Sequence, residues 1–188
     1  MIHSEWSYSA VLYEMNVRQL TAEGTLAAAA RRLEFLHDLG VDIIWLMPIY
    51  PIGVEGRKGT LGSYYSISDY TAVNPEMGDM ADFDAFVARA HALGMKVILD
   101  WVANHTARDA RWIEQKPADW YERDENGSPR VPWDWTDTAT TPTATCGAAR
   151  STPCVSGSSI TVSTVSAATW PCSCLSSSGS RRRPCSAP

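Results

Sequence analysis

Two absences divide this 188-residue chain at about residue 139. Residues 1–139 contain no cysteine, and residues 140–188 contain no aspartate or glutamate. The first part has 12 basic and 21 acidic residues, and its net charge of −9 argues against nucleic acid or an anionic membrane as partner. No apolar run in the sequence is long enough to span a bilayer. The two parts are therefore different kinds of sequence.

The N-terminus and the cysteines bear on the cellular compartment. Residues 1–6, Met-Ile-His-Ser-Glu-Trp, lack the charged and apolar regions of a signal peptide, so a cytoplasmic location is the default expectation. All five cysteines lie in the second part, at Cys146, Cys154, Cys172, Cys174 and Cys185. An odd number does not fit a disulfide framework.

The first part alternates between strand and helix patterns. A first strand that runs into a loop is predicted within 9–19, and further strands are predicted at 41–47 and from Met95 onward. Thr25 can cap a helix that Gly40 ends, with Leu26, Ala29, Leu33 and Leu36 on its buried face. Asp79 can cap a second helix that Gly94 ends, with Phe83, Phe86, Val87, Ala90 and Leu93 on its buried face. This order predicts an α/β fold with a parallel sheet. The glycine-rich segment 53–62, between the two predicted helices, is predicted to be a mobile, exposed loop.

A polar cluster follows the third predicted strand. Asp100, Asn104 and His105 come directly after an apolar run, where α/β folds place their sites. One such residue alone is more often a cap or a turn residue, but three together favour a site. In an extended chain Asp100 and Asn104 share one side and His105 lies on the other. Asp100 and His105 therefore converge only if the chain bends after the strand.

Residues 100–105, Asp-Trp-Val-Ala-Asn-His, resemble the first signature segment of the α-amylase family of glycoside hydrolases. Four further segments match the family in the same order, at residues 12–19, 44–49, 65–70 and 74–78. The resemblance runs from about residue 7 to about residue 139. It implies the first three strands of a (β/α)8 TIM barrel, followed from about residue 106 by the start of the domain that relatives insert after strand 3.

The resemblance also implies roles for single residues. Relatives are retaining enzymes acting on α-linked glucans, in which Tyr65 would stack on a sugar ring and His105 would hydrogen-bond the same sugar. Asp100 would hold a catalytic arginine. Asn104 matches a calcium ligand of calcium-dependent members, although one oxygen ligand does not make a metal site. No other cofactor is implied.

Aromatic residues are frequent after Thr106, and two interpretations of them are open. They can stack on sugar rings in the inserted domain, or they can cover a small hydrophobic core. The residues are Trp112, Trp120, Tyr121, Trp133 and Trp135.

Residues 140–188 have a composition typical of disorder, with 20 serines or threonines and one aromatic residue. A shifted reading frame explains this sequence. Codons can be chosen for Ser163–Leu175 that, read one base earlier, give Ile-Asp-Gly-Phe-Arg-Cys-Asp-Met-Ala-Met-Leu-Val-Pro. That string resembles the second family signature, Gly-Phe-Arg-x-Asp. Residues 140–147 similarly give Asp-Tyr-Ser-Asn-Arg-Asp-Met-Arg, a typical family segment.

The shifted frame removes the expected chemistry from this chain. Ala167 and Thr169 stand where relatives carry the arginine and the nucleophilic aspartate, and neither side chain can form a glycosyl intermediate. No catalytic set is complete, so the chain is expected to be an inactive fragment of an α-glucan hydrolase or transglycosylase. Two alternatives are a non-catalytic sugar-binding fragment and the product of a damaged gene. A third alternative is a metal hydrolase with Asp100, Asn104 and His105 as ligands. The sequence offers no second histidine cluster to complete such a site.

Overall fold

The computed structural model of the protein describes residues 5–102, 104–132, 135 and 137–139. The strands are β1 (Leu12–Met15), β2 (Ile43–Leu46), β3 (Lys96–Leu99), β4 (His105–Ala107) and β5 (Asp137–Ala139). The α-helices are α1 (Val17–Leu20), α2 (Leu26–Ala30), α3 (Leu33–Asp38), α4 (Met80–Ala92) and α5 (Trp112–Gln115), with 3-10 helices at Glu5–Tyr8 and Ala118–Trp120. None of the helices in these ranges is long and apolar enough to cross a membrane. The tail predicted at 140–188 lies outside the described residues.

The three predicted strands form one parallel sheet in the order β1-β2-β3. Their register aligns Met15, Leu46 and Leu99, so the three strands end at the same level. The ladder continues one residue further, where the Asp100 N–H donates to the Leu46 carbonyl over 3.0 Å. Asp100 therefore lies at the carboxyl edge of the sheet, as the polar cluster predicted.

The first predicted helix is present but consists of two pieces, α2 and α3. The Thr25 hydroxyl caps α2 by accepting from the Ala28 N–H over 3.2 Å. At Arg31 and Arg32 the backbone N–H groups donate to carbonyls three residues back, which makes one tight turn between the helices. The apolar face continues through this turn, because Leu26, Ala29, Leu33 and Leu36 are all buried.

Helix α4 matches the second predicted helix closely. The Asp79 carboxylate accepts from the Asp82 N–H over 3.0 Å, and the Asp82 carboxylate accepts from the Asp79 N–H over 3.1 Å, which completes a capping box. Four of the five predicted core residues, Phe83, Phe86, Val87 and Ala90, are buried, and Leu93 packs against them. This face contacts α2, so the two helices share one core beside the sheet.

The segment after β3 forms a small subdomain with its own core. Strands β4 and β5 pair in antiparallel fashion, and Trp120 and Tyr121 are buried against Trp112, Ile113 and Trp101. Trp112 also stacks on Tyr70, with ring centroids 4.4 Å apart. For Trp112, Trp120 and Tyr121 the core interpretation is therefore correct. Trp133 lies outside the described residues.

The predicted loop at 53–62 is exposed along most of its length, and its base is bound to the subdomain. The Asp109 carboxylate accepts from the N–H groups of Val54 and Glu55, at 2.7 and 3.3 Å. Gly53 is required at this base, because an added Cβ would lie 2.3 Å from the Ala107 Cβ. The mobility of the loop remains a prediction.

Candidate active site

Tyr65 and Asp100 meet at the carboxyl edge of the sheet. The Tyr65 hydroxyl donates to the Asp100 Oδ2 over 3.2 Å, although the two residues are 35 positions apart. Asp100 is placed by the end of β3, and Tyr65 by the turn that follows the 53–62 loop, in which the Tyr65 N–H donates to the Ser63 hydroxyl. Both side chains are only partly buried, so the pair borders solvent. The contact joins two of the four residues that the sequence predicted for the site.

Electrostatics at this contact raise the pKa of both side chains. Burial raises the pKa of the Asp100 carboxyl, and the hydrogen bond from Tyr65 lowers it. The negative charge of Glu14 raises it again, a backbone hydrogen bond from Trp101 lowers it, and the pKa lies above its ordinary value on balance. Burial also raises the pKa of the Tyr65 phenol, and the charges of Asp100 and Glu14 add to that effect. Tyr65 thus stays protonated and acts as the donor.

The chain bends at Asn104 after β3, and Tyr70 contacts the backbone on both sides of the bend. The buried Tyr70 hydroxyl contacts two backbone carbonyls as a donor, that of Val102 and, over 3.3 Å, that of His105. Burial raises the pKa of the Tyr70 phenol well above its ordinary value, so it keeps its proton. The alternation of side chains made a bend the condition for Asp100 and His105 to converge; the bend is present, but the two side chains lie in separate contacts. The sequence did not identify Tyr70 as its support, although Tyr70 belongs to the matched segment 65–70.

His105 lies in a separate set of contacts at the start of β4. Its Nδ1 is 3.3 Å from the Asn104 amide nitrogen, and its Nε2 is 3.9 Å from the Asp137 Oδ2. The Trp135 ring meets the imidazole edge to face, with centroids 5.7 Å apart. The structure thus pairs His105 with Asp137 and Trp135, whereas Asp100 is paired with Tyr65. Asp137 was not singled out from the sequence, because no motif or periodic pattern includes it.

The calcium prediction gains no ligand set from this geometry. Asn104 is exposed, and its amide nitrogen faces His105. No group of three or more His, Cys, Asp or Glu side chains within the described ranges could hold a metal ion. One amide oxygen does not meet the six to eight oxygen ligands that calcium takes. Calcium at Asn104 therefore stays a prediction, and the same lack of ligands gives no support to a metal hydrolase.

Comparison with known proteins identifies the family. Residues 8–150 match the model of the alpha amylase catalytic domain. The chain belongs to the α-amylase family. The resemblance stated from residues 7–139 is confirmed, and the matched range continues past residue 139. The boundary between a native part and a tail at that position stays a prediction.

Solved α-amylases share the fold. An α-amylase from Lactobacillus plantarum superposes with a TM-score of 0.66 at 45% identity, over 70% of this chain and 31% of that one. The maltogenic α-amylase AmyB from Thermotoga neapolitana gives a TM-score of 0.63 at 40% identity, over the same shares. The α/β elements described above are thus the first part of a TIM barrel, as predicted.

Curated relatives are longer than the matched part of this chain. The α-amylase SusG of Bacteroides thetaiotaomicron is 36% identical over 110 residues, which are 58% of this chain and 15% of SusG. A trehalose-6-phosphate hydrolase of Bacillus subtilis is 32% identical over 145 residues, 69% of this chain and 24% of the relative. The chain spans less than a quarter of either relative, so the activity of a whole enzyme is a matter of proposal.

Proposed function

We propose that this chain is part of a retaining glycoside hydrolase or transglycosylase that acts on α-linked glucans. In this proposal Tyr65 and His105 contact a bound sugar and Asp100 holds Tyr65 in place. The chain as written binds a glucan without cleaving it. The observation that carries the proposal is the Tyr65–Asp100 hydrogen bond at the carboxyl edge of the sheet, where TIM barrels have their active sites.

The chemistry of the remaining side chains supports binding. A tyrosine ring offers an apolar face to a sugar ring, and its hydroxyl is already occupied by Asp100, which fixes the ring plane. A neutral imidazole can donate one hydrogen bond to a sugar hydroxyl. Relatives such as a maltogenic α-amylase and an oligo-1,6-glucosidase support an α-linked glucan as the ligand class.

Turnover needs two carboxylates that this proposal does not assign. A retaining glycosidase uses a nucleophile and an acid/base about 5 Å apart. Asp100 is not assigned as the nucleophile, because its carboxylate already accepts a hydrogen bond from Tyr65. Ala167 and Thr169, which the shifted frame places at the positions of the arginine and the nucleophile, lie outside the described residues.

Binding of maltoheptaose to the purified chain, measured by calorimetry, tests this proposal. Tyr65→Ala and His105→Ala should each weaken binding about tenfold, as expected for losing one good contact of about 1.4 kcal/mol. Tyr65→Phe should retain most of the affinity, since the ring remains. Tyr8→Ala is the matched control, because Tyr8 is an aromatic residue with 76% of its surface exposed elsewhere on the molecule.

Two outcomes would contradict the proposal. One is an affinity for maltoheptaose that Tyr65→Ala and His105→Ala leave unchanged. The other is release of reducing sugar by the unaltered chain.

Restoring the reading frame near codon 139 should bring back a nucleophilic aspartate at the place of Thr169 and turnover with it. In that enzyme His105→Ala should lower kcat/KM by about 1–3 kcal/mol.

A further inference from the structure

We propose that Asp137 is a positioning residue that orients the imidazole of His105 toward the sugar. This inference rests on the proposed function for its biological meaning, but its geometry stands on the β4–β5 ladder. Asp137 belongs to none of the family segments that the sequence matches. Its place beside His105 follows only from how two short strands pair.

The register of the ladder places the two side chains on one face. His105 lies opposite Ala139, and Asp137 lies opposite Ala107. Side chains two positions apart on a strand point the same way, so His105 and Asp137 form a diagonal pair across the ladder. Diagonal neighbours are about 7–8 Å apart at the backbone, a distance that an imidazole and a carboxylate can span.

The contacts of the imidazole determine which nitrogen carries the proton. The Asn104 amide nitrogen can only donate, so the Nδ1 that it faces at 3.3 Å must accept. The proton of the neutral ring is then on Nε2, the nitrogen that faces the Asp137 carboxylate. Asp137 is thus an acceptor on the donor side of the ring.

Burial strengthens the electrostatic attraction between the His105 imidazole and the Asp137 carboxylate. The side chains of His105 and Asp137 are only 18% and 12% exposed, so little water lies between them to screen the charge. The separation of 3.9 Å is longer than a hydrogen bond. The carboxylate therefore turns the ring without using up the Nε2 proton, which remains available to a sugar hydroxyl. Trp135 closes the edge of the ring and limits its rotation.

The orientation of the ring can be measured without a ligand. The full 188-residue chain is labelled at histidine and tryptophan, and His105→Ala identifies the His105 signals among the four histidines by NMR. The unaltered chain should show cross-relaxation between the rings of His105 and Trp135. Asp137→Ala should lose most of that intensity and shift the imidazole signals. Asp137→Asn keeps the shape of the side chain but removes its charge, so it should also lose intensity and shift the signals, though less than Asp137→Ala.

Thr138→Val is the matched control. It alters the next residue of β5, whose side chain is buried on the other face of the ladder, and it should leave the His105 signals in place. Unchanged His105 signals in Asp137→Ala would overturn the proposal. Equal changes in Thr138→Val would also overturn it, because they would show a general loosening of β5.

Maltoheptaose binding separates this inference from the proposed function. Asp137→Ala should weaken binding, and the double variant with His105→Ala should bind no worse than His105→Ala alone, since Asp137 acts through His105. Additive losses in the double variant would overturn the positioning role. If Asp137 controls the ring but no variant affects maltoheptaose binding, the positioning role stands and the proposed function fails.

Discussion

At the scale of single residues, Asp100 and Asp69 are partly buried carboxyl groups with opposite electrostatics. Burial and Glu14 give Asp100 a raised pKa despite the hydrogen bonds from Tyr65 and Trp101. Burial also raises the pKa of Asp69, but hydrogen bonds from Thr71 and Arg111 outweigh it, and the pKa is lowered. Folding therefore favours the neutral form of Asp100 and the charged form of Asp69.

These directions predict opposite effects of neutral substitutions at pH 7. For Asp100, stability falls as the pH rises from about 3.9 through the raised pKa, because the folded state binds the proton more tightly. Asp100→Asn should therefore raise the Tm at pH 7, and the difference should vanish below about pH 3.9. Its amide oxygen can still accept from Tyr65.

Asp69→Asn is the paired variant in the same thermal unfolding series. The stability that Asp69 contributes is present above about pH 3.9 and lost as the pH falls through its lowered pKa. Asp69→Asn should lower the Tm at pH 7. A lower Tm for Asp100→Asn as well would show that its carboxylate is stabilised by contacts stronger than the burial that opposes it.

At the scale of elements, the ends of the helices were predictable because their signals are local. Thr25 caps α2 and Asp79 caps α4 with side chains that reach only three residues along the chain. The break between α2 and α3 was not predicted. Leu33 and Leu36 keep the helical spacing across it, so the apolar pattern alone does not reveal the turn at Arg31 and Arg32.

The capping box of α4 is predicted to contribute to the free energy of unfolding. Asp79→Ala removes the carboxylate that accepts from Asp82 and should cost about 1 kcal/mol of unfolding free energy. Urea denaturation followed by circular dichroism measures this loss. Asp84→Ala, at an exposed position of the same helix, should change the free energy by less than about 0.5 kcal/mol. Equal losses in both variants would assign the effect to helix charge and not to the cap.

At the scale of the whole molecule, the described sheet has two open edges. Strand β1 pairs only with β2 within the described residues, and Leu12 on β1 is 45% exposed. In the part of the chain that the structure describes, the outer backbone N–H and C=O groups of β1 and β3 have no neighbouring strand. Such edges promote association between chains.

A lysine on β1 should reduce this association. Leu12→Lys places a charge on the open edge, which disfavours pairing with another strand, and it removes exposed apolar surface. Static light scattering over a concentration series should show a lower average mass than for the unaltered chain. Leu39→Lys is the control, since Leu39 is 67% exposed but follows α3. An equal decrease in both variants would attribute association to net charge and not to the strand edge.

The sequence by itself determined the three parallel strands, two helical stretches and the family. Apolar spacing and caps identify α4 and the one helical stretch that forms α2 and α3, apolar runs identify the parallel strands, and residues 100–105 carry the family signature. These signals are local, since each depends on residues a few positions apart. The same local pattern placed Asp100 at the end of β3 and made a bend the condition for Asp100 and His105 to converge.

Only the tertiary structure decided which side chains meet. The Tyr65–Asp100 hydrogen bond spans 35 positions, and it exists because a long loop returns to the edge of the sheet. The support of the bend by Tyr70 depends on packing between that loop and the subdomain. The pairing of His105 with Asp137 depends on the register of two three-residue strands, which are too short to show any periodicity in the sequence.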